Sequence, residues 1–260
     1  MKFAILIAAV LDEETIKESV AKIKTNIIDA NSDIDFKLFI TLDNHQRKDD
    51  IGTMDSINKL YNDISSAKCE IDFTFQEERL GQPLAMRFLY ERFIKSRIKH
   101  CLTIDDDMAP QQPIKLKPFI EYQKNNPNTM IFLSTGNGNY PECPKKVTDK
   151  DTMFPLLNSK ILLKNEFALY KLHTPKGNSF INNGAMLNRE QVKKIFKIYN
   201  KDKHGQNNED QISVMPFFKN KTKIMLGAKY IECDCETLPR NSVLFMDTIR
   251  FKRPRVHWNG

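Results

Sequence analysis

The apolar positions follow two periods that alternate along the first hundred residues. Lys2 to Val10 is an almost unbroken apolar run, the pattern of a buried strand. From Glu13 to about Ala30 the spacing becomes helical, with Ile16, Val20, Ile23 and Ile27 on one face and Asp12 as a suitable N-cap. Asp35 to Leu42 reads as a second strand, ending in Asp43 and Asn44. Met54 to Ala67 predicts a helix, Ile71 to Phe75 a third strand, and Pro83 to about Arg97 a long helix. Pro83 suits its first turn, where no amide donor is needed, and Leu84, Phe88, Leu89 and Phe93 form its apolar stripe. His100 to Ile104 is the fourth strand. Strand and helix in strict alternation predict a parallel sheet with right-handed crossovers. Ligands of such sheets bind beyond the carboxyl ends of the strands, so Asp43 and the residues after Ile104 share one rim.

The second half is less regular. Met130 to Ser134 predicts a buried strand, followed by the small-residue run Thr135 to Tyr140. Residues 141–180, rich in Pro, Lys and Asn, read as a mixed loop insertion. Ile181 to Leu187 is followed by a helix from Arg189 to about Tyr199 and a short helix over Glu209 to Phe218. Thr222 to Leu226 and Lys229 to Cys235 predict two strands, and the tail from Arg250 to Gly260 is basic and aromatic. No internal repeat or linker is visible, so one α/β domain over residues 1–260 is expected.

The strongest chemical signal is Asp105, Asp106 and Asp107, hung on the end of the fourth strand. Such a run is about as often a solvated turn. At the tip of a buried strand it becomes a set of fixed hard oxygen ligands, suited to Mg²⁺ or Mn²⁺ shared with substrate phosphates. Gly81 opens the long helix, whose amino end favours anions, and Arg79 and Arg87 add charge for a diphosphate. The alternative is a plain helix start with solvated arginines. Glu209 and Asp210 open another helix, either as cap and dipole-favoured carboxylate or as a general base. His257 is a surface residue of the tail, or a metal ligand if the tail folds back over the aspartates.

Composition narrows the partners without choosing one. A net charge of +7 favours polyanions: nucleotide-sugar phosphates, nucleic acid or an anionic membrane surface. No apolar stretch approaches the ~20 residues of a membrane span. Met1 to Val10 has the look of a signal peptide, but Asp12, Glu13 and Glu14 follow at once, and a first strand fits better. The five cysteines form no zinc pattern and read as free thiols in a reducing, cytoplasmic compartment. No Ser/His/Asp or Cys/His nucleophile, dinucleotide fingerprint or phosphate loop is present.

In order along the chain, these clusters resemble the nucleotide-sugar glycosyltransferases of the GT-A fold. Asp105 to Asp107 matches their DxD motif, Gly81 to Arg87 the helix start before it, Asn182 to Met186 the small-residue loop, and Glu209 with Asp210 the acidic pair. The resemblance implies a mostly parallel Rossmann-like sheet flanked by helices. It implies a nucleotide-sugar-binding half over residues 1–107 and an irregular acceptor-binding half over residues 108–260. It also implies a UDP-sugar held with Mn²⁺ or Mg²⁺. Asp105, Asp107 and His257 would hold the metal. Asp43, Arg79, Gly81, Arg87, Asp105, Asp106, Asn183 and Gly184 would contact the nucleotide sugar, and Asp210 or Glu209 would take the acceptor proton. The chain departs from the family after the second strand, where Thr41 to Asn44 replaces an acidic Gly/Ser-rich turn. The triple aspartate is also similar to transferases that decorate hydroxymethylated pyrimidines in phage DNA, which implies double-stranded DNA as acceptor. Exostosin-like transferases share the motif, leaving a glycan or protein acceptor as the alternative. A nucleotidyltransferase and a non-catalytic nucleic-acid-binding protein are the rival classes, the latter leaving the aspartates unexplained.

Overall fold

The computed structural model describes residues 1–10, 13–43, 51–76, 81–106, 108–133, 156–163, 166–172, 184–197, 223–229 and 244–247. The predicted alternation is present. Strands β1 (Lys2–Val10), β2 (Asp35–Asp43), β3 (Cys69–Gln76) and β4 (His100–Asp105) alternate with helices α1 (Glu13–Ile23), α2 (Ile51–Asn62) and α3 (Gly81–Ser96). Then come β5 (Met108–Pro110), α4 (Leu116–Asn125), β6 (Thr129–Phe132), β7 (Leu156–Leu163), β8 (Phe167–Leu172), β9 (Ala185–Asn188), α5 (Arg189–Phe196), β10 (Lys223–Lys229) and β11 (Phe245–Asp247).

Nine strands form one sheet in the order β3-β2-β1-β4-β9-β6-β10-β8-β7. The first four are mutually parallel, β9 runs against both β4 and β6, and β10 is parallel to β6. Strands from both predicted halves therefore share a sheet. β1 lies inside it, with Phe3 to Ile7 buried on both faces, as expected of a strand covered by helices on each side. One face packs Ile5, Ile7, Leu38 and Ile40 against Ile16 and Val20 of α1, Ile57 and Tyr61 of α2, and Phe119 of α4. The other packs Ala4, Leu6 and Phe39 against Met86, Leu89, Tyr90 and Phe93 of α3 and Val192 and Ile195 of α5.

Several elements differ from the expectation. The first helix does not run unbroken to Ala30. After Ile23 it widens into a π-helical turn over Lys24–Ile28, closed by Asp29 N–H on the Lys24 carbonyl at 2.9 Å. There the Asn26 carbonyl accepts the amide of Ile114 at 2.8 Å, and its side-chain amide reaches the Pro110 carbonyl at 2.9 Å. The 141–180 insertion is not a loop throughout, because β7 and β8 pair within it and close one edge of the sheet. The two strands expected on either side of Gly227 are replaced by one, β10, which passes straight through it. A Cβ at Gly227 would lie 2.7 Å from Leu133 Cδ2 and 2.9 Å from Phe119 Cε1. The glycine marks the close approach of α4 to the sheet, not a turn.

Candidate active site

Asp105 is the last residue of β4 and lies opposite Ala8 of β1. Asp43 is the last residue of β2, between Val10 of β1 and Gln76 of β3. These four strands are parallel, so both aspartates stand on one rim, two strand spacings or about 10 Å apart. Chain order runs outward from β1 through β2 to β3 on one side and starts again with β4 on the other. The crevice between β1 and β4 is the switch point where such sheets hold ligands, and Asp105 stands at its edge, half-buried.

The aspartates do not act as one cluster. Asp105 shares a face with Ala8, which packs on the α3 side of the sheet. Asp106 is only 9% exposed, and its charge acts on the Tyr61 phenol of α2, which belongs to the opposite face. Burial, and then the nearby Asp106 carboxylate, hold the Tyr61 hydroxyl protonated far above its ordinary range.

Two glycines bring backbone to the same rim. Gly81 begins α3 with φ 69° and Gly184 precedes β9 with φ 68°, a conformation that costs a glycine little. Gly184 donates its N–H to the Thr103 carbonyl at 2.7 Å, and its own carbonyl accepts from Leu133 at 2.8 Å. The Thr103 hydroxyl donates to the Ala185 carbonyl and accepts from the Ala185 amide, each at 3.2 Å. Because β9 is antiparallel to β4, its amino end arrives beside the carboxyl end of β4. The predicted small-residue loop is thus placed at Asp105 through Gly184.

The Arg87 guanidinium lies over the Phe196 ring of α5, 4.6 Å from its centre, and so ties α3 to α5. Past the aspartates, β5 pairs antiparallel with β11, Met108 opposite Asp247. The Ser19 hydroxyl donates to the Met108 carbonyl at 2.7 Å. This ribbon brings the carboxy-terminal part of the chain next to the acidic segment, ten residues before His257. Asp107, Arg79, Asn183, Glu209, Asp210 and His257 lie outside the described residues. Among the described residues no group of three or more His, Cys, Asp or Glu is placed to hold a metal ion. Two of the three expected ligands, Asp107 and His257, are not in that set. Asp105 itself fits a divalent cation: it is a hard oxygen donor, half-buried at a strand tip.

Sequence reasoning passed over Ala8, Thr41 and Thr103, which line or brace this rim. Thr103 sits within an apolar run, and only the pairing register reveals what its hydroxyl does.

The chain matches no known family profile and no curated protein sequence. Its fold does match that of S. aureus TarS, a glycosyltransferase of GT-A type. One TarS structure, of residues 1–349, is 14% identical with a TM-score of 0.54, covering 87% of this chain and 58% of TarS. A second, of the same TarS segment in complex with UDP, is 15% identical with a TM-score of 0.51, covering 87% and 57%. The fold is GT-A. The chain thus spans a little over half the length of the TarS structures it matches. No helix among the described residues is long and apolar enough to cross a membrane.

Proposed function

We propose that this protein is a metal-dependent glycosyltransferase that moves a sugar from a UDP-sugar to a hydroxyl acceptor. The observation that carries the reading is the position of Asp105, at the tip of β4 across from Ala8, in the switch-point crevice of a GT-A sheet. The TarS structure with UDP supports a nucleotide-sugar donor for this fold. Asp105, Asp107 and His257 would hold Mn²⁺ or Mg²⁺, and the β5–β11 ribbon supports the return of the tail that His257 requires. When bound, the ion neutralises charge on the departing diphosphate.

The chain's own groups do the rest. The amino end of α3 at Gly81, with Arg79, meets the diphosphate. Asp43, on the same rim, takes the base or ribose. Asn183 and Gly184 shape the loop over the transferring sugar, and Asp210, with Glu209 beside it, accepts the acceptor's proton. Asp106 contributes from the far side by fixing the acidic turn against α2.

For the acceptor we assign the hydroxymethyl group of a modified pyrimidine in double-stranded DNA, a choice supported by the net charge of +7. A cytoplasmic location follows from that acceptor.

The test is a thermal-shift panel of nucleotide sugars with and without Mn²⁺, followed by mass analysis of acceptors. One UDP-sugar should stabilise the protein only with metal, and hydroxymethylated DNA should gain one sugar mass. A gain on an oligosaccharide or protein instead would move the acceptor to the glycan class. Release of pyrophosphate would mark a nucleotidyltransferase, and DNA binding with no product a binding protein.

A further inference from the structure

One polar atom at the rim is unexplained by the fold. Thr41 of β2 is fully buried, and its Oγ1 has no hydrogen-bond partner among the described residues. A buried hydroxyl without a partner keeps its desolvation penalty and gains nothing in return. Such atoms in a folded protein call for an explanation, and this one lies two residues before Asp43.

The register shows what Thr41 faces. It lies opposite Ala8 of β1 on one side and Thr74 of β3 on the other. Ala8 in turn lies opposite Asp105. Residues directly opposite on neighbouring strands point to the same face, and Ala8 packs on the α3 side. One cross-strand row therefore reads Asp105, Ala8, Thr41, Thr74, beneath the amino-terminal half of α3. Thr41 is closed off, whereas Ala8 and Asp105 are partly open. Alanine is the smallest side chain in the row, so it leaves a notch about two strand spacings wide, walled by Asp105 on one side and the Thr41 hydroxyl on the other. A carboxylate, an apolar floor and a neutral hydroxyl together suit a flat, polar-edged ring bearing hydroxyls. A bare phosphate has no use for the floor and is repelled by Asp105 unless a cation intervenes.

We infer that Thr41 is a specificity residue of the donor site: a nucleoside seated on Ala8 takes a hydrogen bond from, or gives one to, the Thr41 hydroxyl. This rests on the donor-site reading above and assigns within it a residue that contacts the nucleoside and not the diphosphate.

The test compares UDP with inorganic pyrophosphate, both with Mn²⁺, by calorimetric titration. Thr41→Val keeps the shape and deletes the hydroxyl. It should weaken UDP roughly fivefold to tenfold, leave pyrophosphate unchanged, and melt no lower than wild type without ligand, since an unpaired polar atom is removed. Thr41→Ser should bind UDP within about twofold of wild type. Ala8→Val, which fills the notch from the next strand, should weaken UDP far more than pyrophosphate and serves if Thr41→Val does not fold. Equal UDP affinity in wild type and Thr41→Val overturns the inference and leaves the donor-site reading standing. So does a Thr41→Ser variant as weak as Thr41→Val, or an Ala8→Val variant weakened alike toward both ligands. A wild-type protein that binds neither ligand removes the donor site and this inference together.

Discussion

Gly184 gives its amide hydrogen to the carbonyl of Thr103, two residues before Asp105. That single 2.7 Å bond joins the loop entering β9 to the strand carrying the acidic tip, although 81 positions separate the two residues. The bond requires the left-handed backbone that Gly184 adopts at φ 68°.

Gly184→Ala forces a Cβ into that conformation, at a cost of about 1–2 kcal/mol. Chemical denaturation should show the loss. Because the loop sits beside Asp105, metal-dependent binding of the nucleotide sugar should weaken as well. A variant with wild-type stability and wild-type binding would mean that the loop has no part in the site.

Asp105→Ala should abolish Mn²⁺-dependent binding of UDP while the melting temperature stays close to that of wild type. The residue is half-buried at a strand end and packs no core. Asp210→Asn should leave that binding intact and lower turnover by roughly 10²–10⁴, the usual contribution of a general base. Titration calorimetry and a product assay on the same preparations separate the two roles.

Gly227→Ala places a methyl group 2.7 Å from Leu133 Cδ2 and 2.9 Å from Phe119 Cε1. Overpacking of this kind costs about 1–3 kcal/mol. Adding Phe119→Leu should recover part of the loss, a coupling that a double-mutant cycle in urea would measure.

His100 supplies a pH dependence. It is 7% exposed, and its Nδ1 lies 2.8 Å from Gln123 Oε1. Burial, opposed by the Gln123 bond and aided by Lys124 and Lys99, lowers its pKa below the ordinary 6.5. The folded protein therefore prefers the neutral ring. As pH falls through about 6.5 the unfolded chain takes up a proton that the folded one refuses, so stability declines. His100→Asn should flatten the fall in urea midpoint between pH 7 and pH 5 relative to wild type. An equally steep fall in both would remove His100 as the cause.

Cys69 and Cys101 are buried free thiols. Burial raises the Cys69 pKa to about 11 and that of Cys101 well above its ordinary value. At neutral pH neither forms appreciable thiolate. Both should escape alkylation in the native protein and react only in denaturant, as peptide mass mapping will show.

The first four strands were legible because each apolar run is bounded by a change of period, and parallel pairing follows from the intervening helices. α4 was not, although Phe119 and Ile120 carry its buried face. Its sequence holds a proline at position 118, and Lys115 before it offers no side-chain cap. The cap comes instead from Asn31, whose Oδ1 accepts the Leu116 amide at 2.8 Å from 85 positions upstream. No local window contains that information. β7 and β8 were hidden for a different reason: their polar surroundings outweighed short alternating runs such as Phe167 to Leu172. At the site, Asp105 and Asp43 were legible as strand tips. The divergence of Asp106 toward Tyr61 required knowing which face α2 covers.

The short ribbon of β5 and β11 makes the acidic turn dependent on chain far downstream of it. Met108, immediately after the aspartates, is held by Ser19 on one side and by the strand ending at Asp247 on the other. Cleavage ahead of residue 244, whether by a protease or by the choice of an expression boundary, would release one of those two moorings and leave the sheet itself whole.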